Sequence, residues 1–369
     1  MSDTHPERRW PAEWEPHAGT WLAWPHAPAT WPGHLEDARR EYVEIVRALQ
    51  GREPVRLLVA DAAMEGTARA ALVALGVDPD DGIEFLRIPT NDSWLRDTGP
   101  IVIEERGAGG GPTRRAVAFG FNAWGGKYPP WDKDLHVAAL AARAAGLSVS
   151  SPGFVLEGGS IDGNGRGTVL TTESCLLNPN REAGRTRREM ETRLARWLGT
   201  RQVLWLGDGI AGDDTDGHID DIARFVDAGT VVAAVCDDPS DPNEKVLAEN
   251  LVRLRHMRDQ DGKPLSLATL PMPPPHRIDE QRCPASYANF YLANGVALVP
   301  TFDAPSDAHA LAVLRELLPG REVIGIPSRT LVLGLGSVHC LSQQEPAASG
   351  EAARSEPKAS EDRKSDPVR

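Results

Sequence analysis

Cysteine is scarce in this chain of 369 residues: four, at Cys175, Cys236, Cys283 and Cys340. No two stand at a CxxC or zinc-ligand spacing, and so few in so long a chain exclude a disulfide-stapled scaffold and a zinc ribbon. A reducing cytoplasm is the expected compartment. Basic charge is also short. Lys plus Arg number 40 against 53 Asp plus Glu, a formal net charge of −13, whereas a phosphate backbone is bound by the opposite balance. No apolar run is long enough to span a bilayer, and Met1 leads into no signal peptide. Nucleic acid and membrane are therefore excluded as expected partners, while a small cationic ligand suits the charge.

What is present suffices for a large core: 41% of residues are hydrophobic and 25% charged. Length alone suggests two domains, but a single closed α/β fold reaches this size. Trp10, Trp14, Trp21, Trp24 and Trp31 crowd the N-terminal segment, which reads as irregular chain pinned by aromatics with core roles.

A unit then recurs: an amphipathic helix, a short β-branched strand, and a loop rich in Gly, Pro or Asp. Residues 62–75 lead to a strand at 85–88 and the loop Asn91–Pro100. Residues 133–146 lead to 147–149 and the loop through Glu157-Gly158-Gly159. Residues 187–198 lead to 202–206 and Gly212–Asp220, residues 243–257 to 267–270 and a Pro-rich loop, and residues 307–318 to 322–326 and the turn of Cys340. Hairpin-like pairs, such as 223–226 with 231–235, fall between copies. Five copies with a period of roughly 50–60 residues predict a radial array of strand–helix blades in an α/β fold. In a ring, equivalent loops converge on one axis, and four of the five carry reactive side chains. From about Glu345 the composition turns polar, so the expectation is a folded unit over 1–346 and a disordered tail over 347–369.

Each reactive residue has a bland reading when taken alone. Cys340 could be a small buried hydrophobe, Asp97 a partner of Arg96, and His218 a turn histidine. Glu157-Gly158-Gly159 could be a bulge. Asp213, Asp214 and Asp216 could form a solvated turn or a calcium loop, although no Glu stands at the calcium-loop distance. A metal hydrolase built on His218, Asp216 and Asp220 lacks a second nearby His. Cys175, Cys236 and Cys283 read as structural. Together, though, a cysteine, a histidine and several carboxylates are the parts needed for covalent attack on a cationic carbon.

The stretches Pro11–His17, Asn91–Pro100, Phe121–Tyr128, Glu157–Gly159, Gly212–Asp220 and Gly336–Cys340 followed by Gln343-Gln344 span nearly all of the chain before the polar tail. In this order they resemble the agmatine deiminase family of guanidine-modifying enzymes, which have the five-bladed α/β propeller, or pentein, fold. Bacterial peptidylarginine deiminases share several of these motifs. The resemblance implies that Cys340 is the nucleophile and His218 the general acid and base. It implies that Asp97 and Asp220 grip the guanidinium, Glu157 and Asp214 are polar pocket groups, and Trp94 and Trp124 are walls. It also implies hydrolysis of agmatine without metal or cofactor, with a homodimer as a candidate assembly. The residues before Cys340, Gly336-Ser337-Val338-His339, depart mildly from the family pattern, which has a third Gly and an Asn or Ser beside Ile. Two alternatives stand beside this reading: a deiminase of peptidylarginine or another guanidine, and a non-enzymatic propeller-fold binding module. The module would not need the Cys, the His and both carboxylates.

Overall fold

The computed structural model describes residues 7–107 and 111–348. Among them the chain forms five sheets of three or four strands and one two-stranded hairpin, Arg277–Ile278 with Gln281–Arg282. The five sheets repeat one pattern. A short strand pairs antiparallel with a second, and a helix carries the chain across to a third strand parallel to the second, since a parallel neighbour cannot be reached by a tight turn. Ile101–Arg106, Thr113–Val117 and Ser148–Ser150 use the helix Asp134–Ala144, with Glu7–Arg9 added at the edge. Ile161–Gly163, Thr168–Thr172 and Gln202–Leu206 use Arg187–Leu198. Ala223–Phe225, Thr230–Val235 and Ser266–Pro271 use Pro242–His256. Tyr291–Ala293, Val296–Thr301 and Glu322–Pro327 use Asp307–Leu317. The fifth sheet joins the two ends of the chain. Ser342–Pro346 runs antiparallel to His17–Ala23, which is followed by the parallel strands Val55–Val59 and Ile83–Arg87, reached through Leu35–Leu49 and Ala62–Ala74.

Local chemistry accounts for these elements. Arg187–Leu198 starts on a capping box of Thr186 with Glu189 and ends at Gly199 with φ +74°. A Cβ on Gly199 would lie 1.9 Å from the Arg8 carbonyl oxygen, so space as well as backbone hand requires glycine. Met190, Leu194 and Leu198 recur at helical spacing and pack with Val203 and Trp205. The strand Thr230–Val235 buries its four central residues and reads as an unbroken apolar run, as expected of a strand covered on both faces.

Helices and strands expected at 133–149, 187–206, 243–270 and 307–326 are present, as is the pair at 223–235. The hairpin-like pairs expected between copies supply two strands ahead of the helix in four of the sheets. Two expectations need correction. The first copy is preceded by another, helix Leu35–Leu49 with strand Val55–Val59, so the fifth sheet holds two helix–strand repeats. The N-terminal segment contains the strand His17–Ala23, with Trp21, Trp24 and Trp31 fully buried. Glu345, where the composition changes, is itself buried in a strand and paired with Arg56 and Arg114. The tail expected beyond it lies, from 349 on, outside the described residues.

The chain enters the first strand of every sheet from a short turn: Leu95–Thr98 before Ile101, Gly158–Ser160 before Ile161, Ile219–Asp221 before Ala223, Asn289 before Tyr291, and Val338–Leu341 before Ser342. Beneath these turns lies a buried ionic cluster centred on Glu13. Its Oε1 accepts from Arg224 at 2.9 Å and from the Leu292 backbone at 2.8 Å; its Oε2 accepts from Arg96 at 3.1 Å and meets His339 Nε2 at 2.8 Å. Burial pushes the Glu13 carboxyl up, but Arg224, His339 and Arg96 outweigh it and hold the group well below the ordinary carboxylate range. Removing this carboxylate would strand two buried guanidinium groups. Glu13→Ala is therefore expected to cost about 3–5 kcal/mol of stability, read as a lower urea midpoint with an unchanged slope. An unchanged midpoint would show that the cluster carries no such weight.

Candidate active site

The entry turns bring their side chains to one place. A Cβ on Gly159 would fall 2.6 Å from His218 Nδ1, 2.9 Å from Asp97 Oδ1 and 3.1 Å from Asp220 Oδ2, so glycine is needed where three polar groups converge. Asp97 Oδ1 accepts from the Gly159 backbone at 2.8 Å, and Oδ2 accepts from Trp124 Nε1 at 2.9 Å. His218 Nδ1 stands 3.9 Å from Asp97 Oδ2. Cys340 Sγ lies 3.6 Å from Asp220 Oδ2, which also holds His339 Nδ1 at 2.7 Å. Among the described residues, Asp220 Oδ1 and His218 Nε2 are buried without a hydrogen-bond partner.

A cavity of about 720 Å³ opens onto this cluster. Cys340, His218, Asp97, Asp214, Trp94 and Trp124 line it, and Glu157 and Asp220 do not. Trp94 packs on Trp31 at 5.6 Å between ring centroids, and Gly336 gives it room beside Cys340. Trp124 sits at φ +53°, within a run of left-handed residues from Ala123 to Gly126. Such backbone costs roughly 1–3 kcal/mol per non-glycine residue, and here it delivers the indole N–H to Asp97.

Glu157 stands behind His218, where its Oε1 accepts from Arg181 Nε at 2.6 Å. Arg96 belongs to the Glu13 cluster, so it is no ion-pair partner of Asp97. Asp214 receives the Tyr128 hydroxyl, and burial pushes its carboxyl up.

Three groups went unnoticed in the sequence. Asn289 Oδ1 accepts from Ser337 Oγ at 2.8 Å and the His339 backbone at 3.0 Å, which fixes the amide. Its Nδ2 then donates to Cys340 Sγ at 3.1 Å and to Asp221 Oδ1 at 3.0 Å. It occupies the entry turn of the one copy that carried no reactive residue in the sequence, and that equivalence was the available signal. Asp221, a cavity carboxylate beside Asp220, was masked by its neighbour. Cys175, read as structural, is buried with Glu157 and His218, and ligand atoms of the three lie within 4.8 Å of one another. Arg181 on the Glu157 carboxylate opposes a second cation there.

The charges have a direction. Burial raises the Cys340 thiol well above the ordinary cysteine range, and Asp220, Asp221 and Asp97 add to it; the Asn289 N–H works the other way. Burial alone would lower the His218 pKa, but Asp97, Cys175 and Asp220 raise it well above the ordinary histidine range. The Asp97 carboxyl is raised by burial and by Asp220 and Glu157, against His218. Burial, then Asp220 and Asp213, raise Asp221 strongly. Asp220 is lowered: the His339 hydrogen bond and the charges of His339, His218 and Arg224 outweigh burial. The site thus gathers a thiol of raised pKa and an imidazole of raised pKa among several carboxylates, a setting that favours a cation.

The sequence model of Porphyromonas-type peptidyl-arginine deiminase matches residues 9–346. Agmatine deiminase of Ectopseudomonas mendocina (strain ymp) is 39% identical over 364 residues, 92% of this chain and 96% of that protein. Among solved structures, agmatine deiminase of Enterococcus faecalis superposes with a TM-score of 0.85 at 30% identity, covering 93% of this chain and 97% of the other. An agmatine deiminase of C. jejuni with substrate bound gives 0.84 at 31% identity, covering 94% and 99%. The α/β architecture, the motif order and these matches agree: the chain belongs to the Porphyromonas-type peptidyl-arginine deiminase family.

Proposed function

We propose that this protein hydrolyses agmatine to N-carbamoylputrescine and ammonia through a covalent amidino intermediate on Cys340. The five sheets are then the blades of a five-bladed α/β propeller, and residues 1–346 form its catalytic domain with 347–369 as an appended tail. The observation that carries the reading is the buried Cys340 thiol at one end of a cavity that His218, Asp97 and Asp221 also line, with Asp220 Oδ2 3.6 Å from Sγ behind it. Such a site is completed by a planar cation. Four free cysteines fit a reducing cytoplasm.

Asp97 and Asp220 each offer carboxylate oxygens to guanidinium N–H pairs, which orients the carbon over Sγ. Trp94 and Trp124 flank the bound group. The cation offsets the carboxylates that hold the Cys340 proton, so the thiol loses it to solvent through the cavity, and Asn289 N–H supports the thiolate. Sγ attacks the guanidinium carbon. His218, already an imidazolium, protonates the departing nitrogen; the C–N bond breaks and ammonia leaves. Neutral His218 then takes one proton from water, whose oxygen adds to the amidino carbon; the C–S bond breaks to release the thiolate, and the remaining hydroxyl proton passes to solvent to leave the ureido product. No step needs a metal or an organic cofactor.

For the amine end, Asp92, Asp134 and Asp214 also line the cavity. Two lysines line the cavity: Lys127, which is committed to Asp216 at 2.9 Å, and the exposed Lys133; Arg96 is committed to Glu13. An α-carboxylate would meet Asp92, Asp134 and Asp214 there against that one remaining lysine, and would lose hydration among like charges.

Four outcomes follow from this scheme. In a panel of agmatine, free arginine, a peptide ending in arginine and dimethylarginine, read as ammonia and ureido product, agmatine is favoured over arginine by at least about a hundredfold in kcat/KM, roughly 2.7 kcal/mol. Cys340→Ala gives no turnover. A preference for the peptide would move the assignment to that substrate, and activity in the alanine variant would end the covalent scheme. Asp220→Asn should lower kcat/KM by at least about a hundredfold, because an amide cannot accept two N–H groups in the same way; near-normal kinetics would remove Asp220 from the grip. Because the Cys340 pKa is raised, its thiolate fraction grows only at high pH. Alkylation of Cys340 by iodoacetamide in the free enzyme should therefore rise with pH to a midpoint above the ordinary value of about 8.5. A midpoint at or below that value would mean the thiolate is preformed.

A further inference from the structure

The turn Asp213–Asp216 reads in sequence as a solvated acidic loop, yet each of its carboxylates is engaged. Asp213 accepts the backbone N–H groups of Thr215, Gly217 and His218 at 2.7, 3.0 and 3.0 Å. Asp214 receives Tyr128. Asp216 is the unusual member. Its backbone lies at φ +68°, a region that residues other than Gly, Asn and Asp rarely adopt. Glycine or asparagine would also suit that backbone, so charge is what distinguishes the aspartate.

That charge meets two cations. Oδ1 accepts from Lys127 Nζ at 2.9 Å; Oδ2 accepts from Asn180 Nδ2 at 2.9 Å and from Arg181. Arg181 is buried and planar, and its fork reaches further partners: Glu157 Oε1 at 2.6 Å, the Thr215 carbonyl at 2.8 Å and Asn180 Oδ1 at 2.9 Å. A lysine could not span this set. Lys127 follows the left-handed turn Ala123–Gly126, which sets Trp124 on Asp97. One carboxylate therefore joins two loops that flank the cavity. One loop carries His218 two residues on, backed by Glu157, and the other carries Trp124.

We propose that Asp216 is a positioning residue, whose bonds to Arg181 and Lys127 hold His218 where it can protonate the leaving nitrogen and then deprotonate water. This rests on the reading of His218 as the acid and base of agmatine hydrolysis. Asp97 is held by Gly159 N–H and Asp220 by His339. Trp124 also donates to Asp97, from the loop that Lys127 ties to Asp216, but without Asp216 the Asp97 carboxylate keeps its Gly159 bond and Asp220 its His339 bond, so the loss acts on turnover more than on binding.

The test compares full-length wild type with Asp216→Asn and Asp216→Gly, both of which suit a left-handed backbone. Melting temperature, kcat and KM for agmatine are measured for each. Both variants should melt within about two degrees of wild type, keep KM within about threefold, and lose at least about tenfold in kcat. Retention of kcat within about twofold in either folded variant overturns the proposal. So does a kcat loss no larger than the unfolded fraction, because that is a purely structural role. If wild type itself fails to turn over agmatine, the functional reading fails. The same comparison is then made on the guanidine that the substrate panel identifies.

Discussion

The Glu13 carboxylate is the fastening point of the molecule. Arg96, Arg224 and His339 converge on it from three parts of the chain, and each adjoins a residue of the site. Arg96 precedes Asp97. His339 precedes Cys340 and reaches Asp220 with its other ring nitrogen. Arg224 donates to the carbonyl of Phe290, next to Asn289, and to Asp162 in the neighbouring sheet. A buried ionic cluster yields little net stability over an apolar one. What this one supplies is direction: hydrogen bonds with set donors and acceptors place four entry turns against each other.

Above that base the site is unbalanced on purpose. Asp97, Asp220 and Asp221 surround one thiol, and their combined field favours Cys340–SH over the thiolate. The same field favours imidazolium at His218. In the reaction proposed above, a guanidinium brings positive charge beside Cys340 and with it the condition for attack, which makes substrate recognition and activation of the nucleophile one electrostatic event. Arg181 and Asp216 continue the alternation of charge outward to Lys127 at the cavity wall.

Much of this was legible in the sequence, for physical reasons that can be named. Helices such as Arg187–Leu198 announce themselves through capping residues, a terminal glycine and apolar spacing. Helix Leu35–Leu49 carries the same spacing in Ala38, Tyr42, Ile45, Val46 and Leu49, but His34 at its start makes no side-chain cap, so its beginning had no signal. Three-residue strands such as Ile161–Gly163 and Tyr291–Ala293 are too short for a period of two to stand out. In the site, Cys340, His218, Asp97 and Asp220 were visible because they lie in distinctive loops, and the structure brings them together. Depth was not visible: Glu157 looked like a pocket group, yet it lies behind His218 with Arg181. Asn289 was missed because an amide between Ala288 and Phe290 has no motif of its own. Its place is apparent only when the five entry turns are compared.

The claim on which the account turns is that Cys340 becomes covalently attached to the substrate carbon. Rapid acid quench of the enzyme during turnover of agmatine, followed by peptide mapping and mass measurement, tests it directly. The account predicts a transient adduct of agmatine less ammonia on the peptide carrying Cys340, formed before product and decaying as product appears. Turnover with no adduct at any time, or an adduct on Cys175 or another residue that forms and decays at the catalytic rate, would contradict it.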